Sequence, residues 1–320
     1  MDCFERRRAH GRGRVGFAQS FKIDPSERED MEIGTVLPQL EIGNDPQTIA
    51  EYAIQVEESG YEHLVAYDHV LGVNPDREGW DGPYDYESTF HEPLSTFSYL
   101  AGQTDELAFM TGILVLPQRQ TALVAKQAAQ LDRFADGRVR MGVGVGWNEP
   151  EYVALGEDFS RRGRRIEEQV EVLRRLWTEE LVEFEGEFHE IPDAGIRPLP
   201  LQRPIPIWMG GMSEPVKRRI ARLADGWLPQ FQLGDEAEAH LADLYEYAED
   251  AGRDPDDIGL GGRMYAVPGE EDEWIDCAQD WDDLGADYLS ITTMYQGLEG
   301  EEHAAHLERV AEVLRDAGLL

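Results

Sequence analysis

The sequence predicts a (β/α)8 barrel on three observations. Short apolar runs alternate with amphipathic helical stretches from Glu32 onward, eight of each can be marked out, and no phosphate loop follows the first strand. Strand runs fall at 32 to 37, 62 to 67, 107 to 115, 138 to 145, 205 to 209, 225 to 228, 258 to 266 and 287 to 291. Helical stretches lie at 46 to 59, 92 to 103, 119 to 135, 160 to 177, 214 to 224, 235 to 251, 271 to 284 and 301 to 317. Their apolar residues, such as Ile166, Val170, Leu173 and Trp177, keep the helical period. The rival fold, an open doubly wound sheet, calls for GxGxxG or a Walker sequence after its first strand, and GTVLPQLEIGND is neither.

Two segments stand outside the alternation. Val70 to His91 is a long loop rich in Gly, Pro and aromatics, and loops of that length in a compact domain usually act as lids or binding walls. LVEFEGEFHEIPDAG, from Leu181, alternates apolar and polar residues around Glu185 and Gly186, which predicts a small hairpin before strand five.

Composition narrows the partners. The 65 acidic and 29 basic residues leave a charge of −36, which repels nucleic-acid phosphates and anionic lipid. Only Lys22, Lys126 and Lys217 are lysines. A Lys-poor acidic surface is expected of a protein kept soluble in concentrated salt, as in a salt-loving archaeal cytoplasm. No apolar run reaches the roughly 18 residues that a spanning helix needs. Cys3 and Cys277 are too few for a disulfide framework, and no four-ligand Cys/His zinc spacing occurs. Residues 1 to 30 differ from the rest: seven basic and six acidic residues give them a net +1, so residues 31 to 320 carry −37. They read as a disordered leader or an upstream start, and 31 to 320 as one barrel domain.

In a barrel the strand C-termini carry the active site. Strand two ends on Asp68 and His69, where an ionised carboxylate beside an imidazole can set its tautomer for proton handling. The same two residues also suit a helix-capping Asp next to a hydrogen-bonded His. Strand three places Gly112 beside Ile113, and a strand glycine marks close approach of a ligand or of another backbone. RMGVGVGWNEPEY has Gly142, Gly144 and Gly146 on one face of strand four, so either a flat ring or a tightly packed neighbour lies there. After strand five, Gly210, Gly211, Met212 and Ser213 lead into a helix, with Ser213 as its expected N-cap; such a turn suits a phosphate or is a plain βα connection.

YDHVLG, TGILVLPQR, AKQAAQLDRFADGRVRMGVGVGWNEPEY and PIPIWMGGMSE, with LADGWLP beyond, together resemble the luciferase-like flavin and deazaflavin oxidoreductases, particularly the coenzyme F420-dependent branch. The resemblance runs from about Met31 to about residue 235. It implies the same barrel and a ring held at the strand ends, with the phosphate tail near Gly210, Gly211, Met212 and Ser213. His69 is implied as the proton donor or acceptor and Asp68 as its orienter. Gly112 and Ile113 match the position of a non-proline cis peptide beside the ring, and Gly144, Val145, Gly146 and Trp147 match the segment lining the cofactor. Sugar-phosphate dehydrogenases of that branch carry an acid where Trp147 stands, so a flatter, less charged substrate is expected. Trp80, Tyr84, Tyr86 and His91 either touch that substrate or anchor the lid.

The expectation is an F420-dependent hydride-transferring oxidoreductase of the cytoplasm. The alternatives are an FMN-dependent two-component monooxygenase, which needs a flavin reductase as partner, a metal-dependent barrel hydrolase using Asp68, His69 and His91, and a non-catalytic cofactor-binding relative. A homodimer is expected by analogy with other barrels.

Overall fold

The computed structural model describes residues 30 to 320. Apart from Asp30, the leader lies outside them. Nine parallel strand segments belong to one sheet: β1 (Glu32–Val36), β2 (His63–Ala66), β3 (Ala108–Thr111), β4 (Leu114–Val115), β5 (Val139–Gly144), β8 (Ile207–Gly210), β9 (Gly226–Leu228), β10 (Gly259–Tyr265) and β11 (Tyr288–Thr292). β3 and β4 are two halves of the predicted third strand, parted at Gly112–Ile113, whose peptide bond is cis. That leaves eight strands in barrel order, and the fold is the predicted (β/α)8 barrel. The helices are α1 (Pro46–Glu58), α2 (Pro93–Leu100), α3 (Thr121–Phe134), α4 (Glu149–Ala154), α5 (Arg162–Thr178), α6 (Glu214–Leu223), α7 (Asp235–Asp250), α8 (Glu271–Leu284) and α9 (Glu302–Asp316). Only α4 lacks a counterpart in the predicted set.

The chain forms two compact units, one running to Val65 and resuming at Met209, the other Ala66–Trp208. In the first, β1 lies between β2 and β11 with Thr35 opposite Leu64 and Ile291, and β10 joins β11 to β9. Ile33, Leu64, Leu289 and Ile291 are wholly buried there. Gly34 has no room for a side chain, because a Cβ would fall 2.3 Å from the ring of His63, which is hydrogen-bonded through Nε2 to Ser290 Oγ at 2.8 Å. α1 starts where the sequence dictates: Asp45 accepts from the Thr48 N–H at 3.0 Å and Pro46 needs no partner for a missing donor.

In the second unit β5 pairs with β3 (Phe109 opposite Val139) and with β4 (Leu114 opposite Val143). α5 buries Ile166, Val170, Leu173 and Trp177, the predicted stripe, and Trp177 donates its indole N–H to Ala125 O at 3.0 Å. Burying an apolar side chain of that kind is worth roughly 1.5 to 3 kcal/mol. The predicted hairpin is present as β6 (Val182–Glu185) and β7 (Glu190–Ala194), antiparallel. Glu168 of α5 anchors its turn by accepting from Glu187 N, Phe188 N and His189 Nδ1 at 2.7 to 2.8 Å. His189 Nε2 in turn meets Thr121 Oγ1 at 2.6 Å.

Candidate active site

β2 is buried along its length because it carries only His63, Leu64, Val65 and Ala66, and the chain leaves it at Tyr67. Asp68 follows, 3 % exposed, and turns inward. Its Oδ2 accepts from Val115 N at 2.9 Å and its Oδ1 from Arg119 Nη2 at 2.7 Å. Arg119 also reaches Glu92 at 3.0 Å, and the second Glu92 oxygen caps α2 through Ser95 N at 2.7 Å. Burial pushes the Asp68 carboxyl up, against the pull of Arg119 and Val115. Asp68 therefore ties the end of β2 to β4 and to the start of α2 through Arg119.

Both Asp68 oxygens are thus engaged away from the imidazole, which corrects its expected role as the orienter of His69. The carboxylate that faces His69 is Glu151 of α4, whose Oε2 lies 3.5 Å from His69 Nδ1. Glu151 is 1 % exposed and its Oε1 accepts from the N–H groups of Val70 and Leu71, its Oε2 from Gln118 Nε2 at 3.2 Å. Burial is the largest influence on this carboxyl and pushes it up, yet the hydrogen bonds from His69, Leu71 and Gln118 together leave it below the ordinary carboxylate range. The sequence reading missed Glu151, Gln118 and Arg119. One signal was available: Asn148, Glu149 and Pro150 are a helix start by composition, and a helix there sets Glu151 in its first turn.

The lid of the sequence reading, Val70 to His91, has no helix and one isolated bridge, between Val73 and Asp85. It delivers aromatic rings to His69. Tyr84 stands 5.2 Å and Phe90 4.7 Å from the imidazole centre, and Trp147, from the segment after β5, 5.6 Å. Trp80 packs on Trp147 at 5.7 Å. Of the four predicted lid residues, Trp80 and Tyr84 thus join this cluster, Tyr86 lies in solvent at 63 % exposure, and His91 is half-buried. Phe90 was not anticipated.

The bare face of strand four has a packing cause. A Cβ on Gly144 would meet Ile113 Cδ1 at 2.6 Å, and one on Gly146, whose φ is +62°, would meet Val115 Cγ1 at 2.6 Å. Of the two readings held open for these glycines, a close neighbour is the one realised at 144 and 146. Tyr152 Oη donates to Val145 O at 2.6 Å and holds the segment after β5 in place, with Trp147 44 % exposed at its end. Asp68, His69, Gly112, Ile113 and Gly144 to Trp147 are therefore brought together.

Gly210, Gly211, Met212 and Ser213 belong to the other unit. Gly211 takes a φ of +123° and its carbonyl accepts from Trp227 Nε1 at 2.9 Å. Ser213 occupies the N-cap of α6, but its side chain makes no capping bond, contrary to expectation. The first turn carries Glu214, neutralised by Arg218 at 2.9 Å.

The surroundings of His69 suit a flat, largely apolar ring: Tyr84, Phe90 and Trp147 supply aromatic surface and the imidazole a titratable nitrogen. Among the described residues no group of three His, Cys, Asp or Glu side chains is placed to hold a metal, and Asp68, His69 and His91 form no such group.

Comparison with known proteins gives one family model, luciferase-like monooxygenase, matching residues 27–315. An uncharacterized protein of Mycobacterium tuberculosis is 38 % identical over 209 residues, covering 62 % of this chain and 70 % of its own. An FMNH2-dependent dimethylsulfone monooxygenase of Pseudomonas putida is 30 % identical over 187 residues, and the match spans 57 % of this chain and half of that enzyme. Among solved structures, an F420-dependent secondary alcohol dehydrogenase with an F420–acetone adduct superposes with a TM-score of 0.72 at 18 % identity, covering 90 % of this chain and all of that one.

Proposed function

The chain belongs to the luciferase-like monooxygenase family, and on that premise we propose that it is an F420-dependent oxidoreductase moving a hydride between the deazaflavin and a small, flat, weakly charged organic substrate. The observation that carries the reading is His69, a proton-carrying ring at the end of β2, set among Tyr84, Phe90 and Trp147 and backed by a buried carboxylate. The order of motifs resembling the F420 branch supports the choice of cofactor. When bound, the deazaflavin supplies hydride chemistry at its position-5 carbon.

The chain's own residues do the rest. Ile113 and Trp147 form apolar walls that orient a flat ring, and the aromatic cluster excludes water from the imidazole. His69 gives or takes the proton that accompanies hydride transfer. Gly210 to Ser213, at the start of α6, are proposed to receive the phosphate tail on backbone N–H groups. The expected partner is a small-molecule substrate, with a homodimer as the proposed assembly. No described helix is long and apolar enough to cross a membrane.

The second reading, an FMN-dependent monooxygenase fed by a flavin reductase, draws on the Pseudomonas putida relative. Anaerobic mixing with F420H2 and a panel of flat carbonyl compounds, in molar salt, tests the proposal. Reappearance of the oxidised deazaflavin's absorbance with one of them is the expected result. Oxygen-dependent product formation with reduced FMN alone would transfer the protein to the second reading, and tight cofactor binding without turnover would make it a binding protein.

A further inference from the structure

We propose that Glu151 is a positioning residue that fixes neutral His69 as its Nδ1–H tautomer, so that Nε2 is the atom that gives or takes the proton. The inference deepens the reading of His69 as the proton carrier and rests on it for its catalytic meaning, though not for its geometry.

Glu151 has no proton to offer. Its Oε1 accepts two backbone N–H groups, from Val70 and Leu71, and its Oε2 accepts the Gln118 amide. Those are the partners of an ionised carboxylate, which is an acceptor only. The ring nitrogen that faces this carboxylate is Nδ1, 3.5 Å from Oε2, and a nitrogen turned toward an ionised acceptor is favoured as the one that carries hydrogen. Competing charges are spoken for, since Asp68 and Glu92 share Arg119. With Nδ1 carrying hydrogen, the neutral ring keeps its lone pair on Nε2. When Nε2 takes a proton the imidazolium is held against the carboxylate, and when Nε2 gives it up the same tautomer returns, with no proton reaching Glu151.

The same carboxylate also fixes the first two residues of the lid. Asn148, just before α4, adds a bond from Nδ2 to Leu71 O at 3.4 Å. Ring orientation and lid base thus share one anchor, on a helix that carries no other part of the aromatic cluster.

The test needs only the full chain. Histidine labelled with ¹⁵N at both ring positions is read by NMR at a pH where His69 is neutral, with His69→Ala identifying its signals. The expected result is a protonated, pyrrole-type Nδ1 and an unprotonated Nε2, the reverse of the preference of free histidine. In Glu151→Leu the Nδ1–H signal should give way to the Nε2–H form. A wild-type ring found as Nε2–H overturns the inference even if that variant does not fold, and an unchanged tautomer in folded Glu151→Leu overturns it equally. The parent reading fails separately: Nδ1–H in the wild type together with undiminished F420H2 oxidation in His69→Ala would remove His69 from the chemistry and leave Glu151's hold on the ring intact.

Discussion

Two histidines, His69 and His303, each face a glutamate at about the same range, and only one keeps part of its side chain exposed. His69 keeps 13 % of its side chain exposed, with Glu151 at 3.5 Å and three aromatic rings around it. His303, in the first turn of α9, is wholly buried, with Thr293 Oγ1 at 2.8 Å on Nδ1 and Glu41 Oε2 at 3.2 Å on Nε2. Its Nδ1 is hydrogen-bonded to Thr293, while Nε2 lies beside Glu41 without forming a hydrogen bond. Burial above all, helped by His306, pushes its pKa down to about 4, and the positive end of a helix acts in the same direction. The ring sits between Thr293, in the loop after β11, and Glu41, which accepts from Tyr295 N at 2.9 Å. An imidazole beside an acid can serve as a proton carrier only where a substrate can reach the ring, and burial denies that to His303.

The largest effect that would sharpen this contrast is on turnover. His69→Ala is expected to lower it by on the order of 10²-fold or more while F420 affinity stays within a few-fold; steady-state rates and a fluorescence titration check both. His303→Ala should do the opposite, leaving cofactor affinity unchanged and lowering unfolding free energy by about 1 to 3 kcal/mol, as expected when a buried polar partner is removed. Chemical denaturation of the two variants side by side would expose a failure of the comparison.

A smaller effect is the pH dependence of stability. A histidine with a folded pKa of about 4 against an ordinary 6.5 binds its proton more readily when unfolded. Its stabilising contribution is complete above about pH 6.5 and is lost as pH falls toward 4. Denaturation midpoints between pH 7 and pH 4 should fall less steeply for His303→Gln than for the wild type. Smallest of all, Tyr86→Ala at the exposed tip of the lid should change stability by no more than about 0.5 kcal/mol and leave cofactor binding as it is.

The sequence made the barrel legible because its strands are apolar runs and its helices keep a strict period, both local signals. Asp68 and His69 just beyond β2, the hairpin at Glu185 and Gly186, and the cis peptide at Gly112 and Ile113 were legible in the same way or through the family resemblance. What sequence could not give was pairing across the fold. Adjacency suggested Asp68 as the partner of His69, yet the backbone turns Asp68 inward to Arg119 and Val115, and the acid at the imidazole comes from a helix beyond β5. Likewise Gly144 and Gly146 read equally as a ring's bed or a packing seam until the positions of Ile113 and Val115 decided it.

The most direct test of the central claim, a deazaflavin site built around His69, is a fluorescence titration of the full chain in molar salt with F420 and, separately, with FMN. The account predicts micromolar or tighter binding of F420 and weaker binding of FMN. Preference for FMN, or binding of neither, would contradict it.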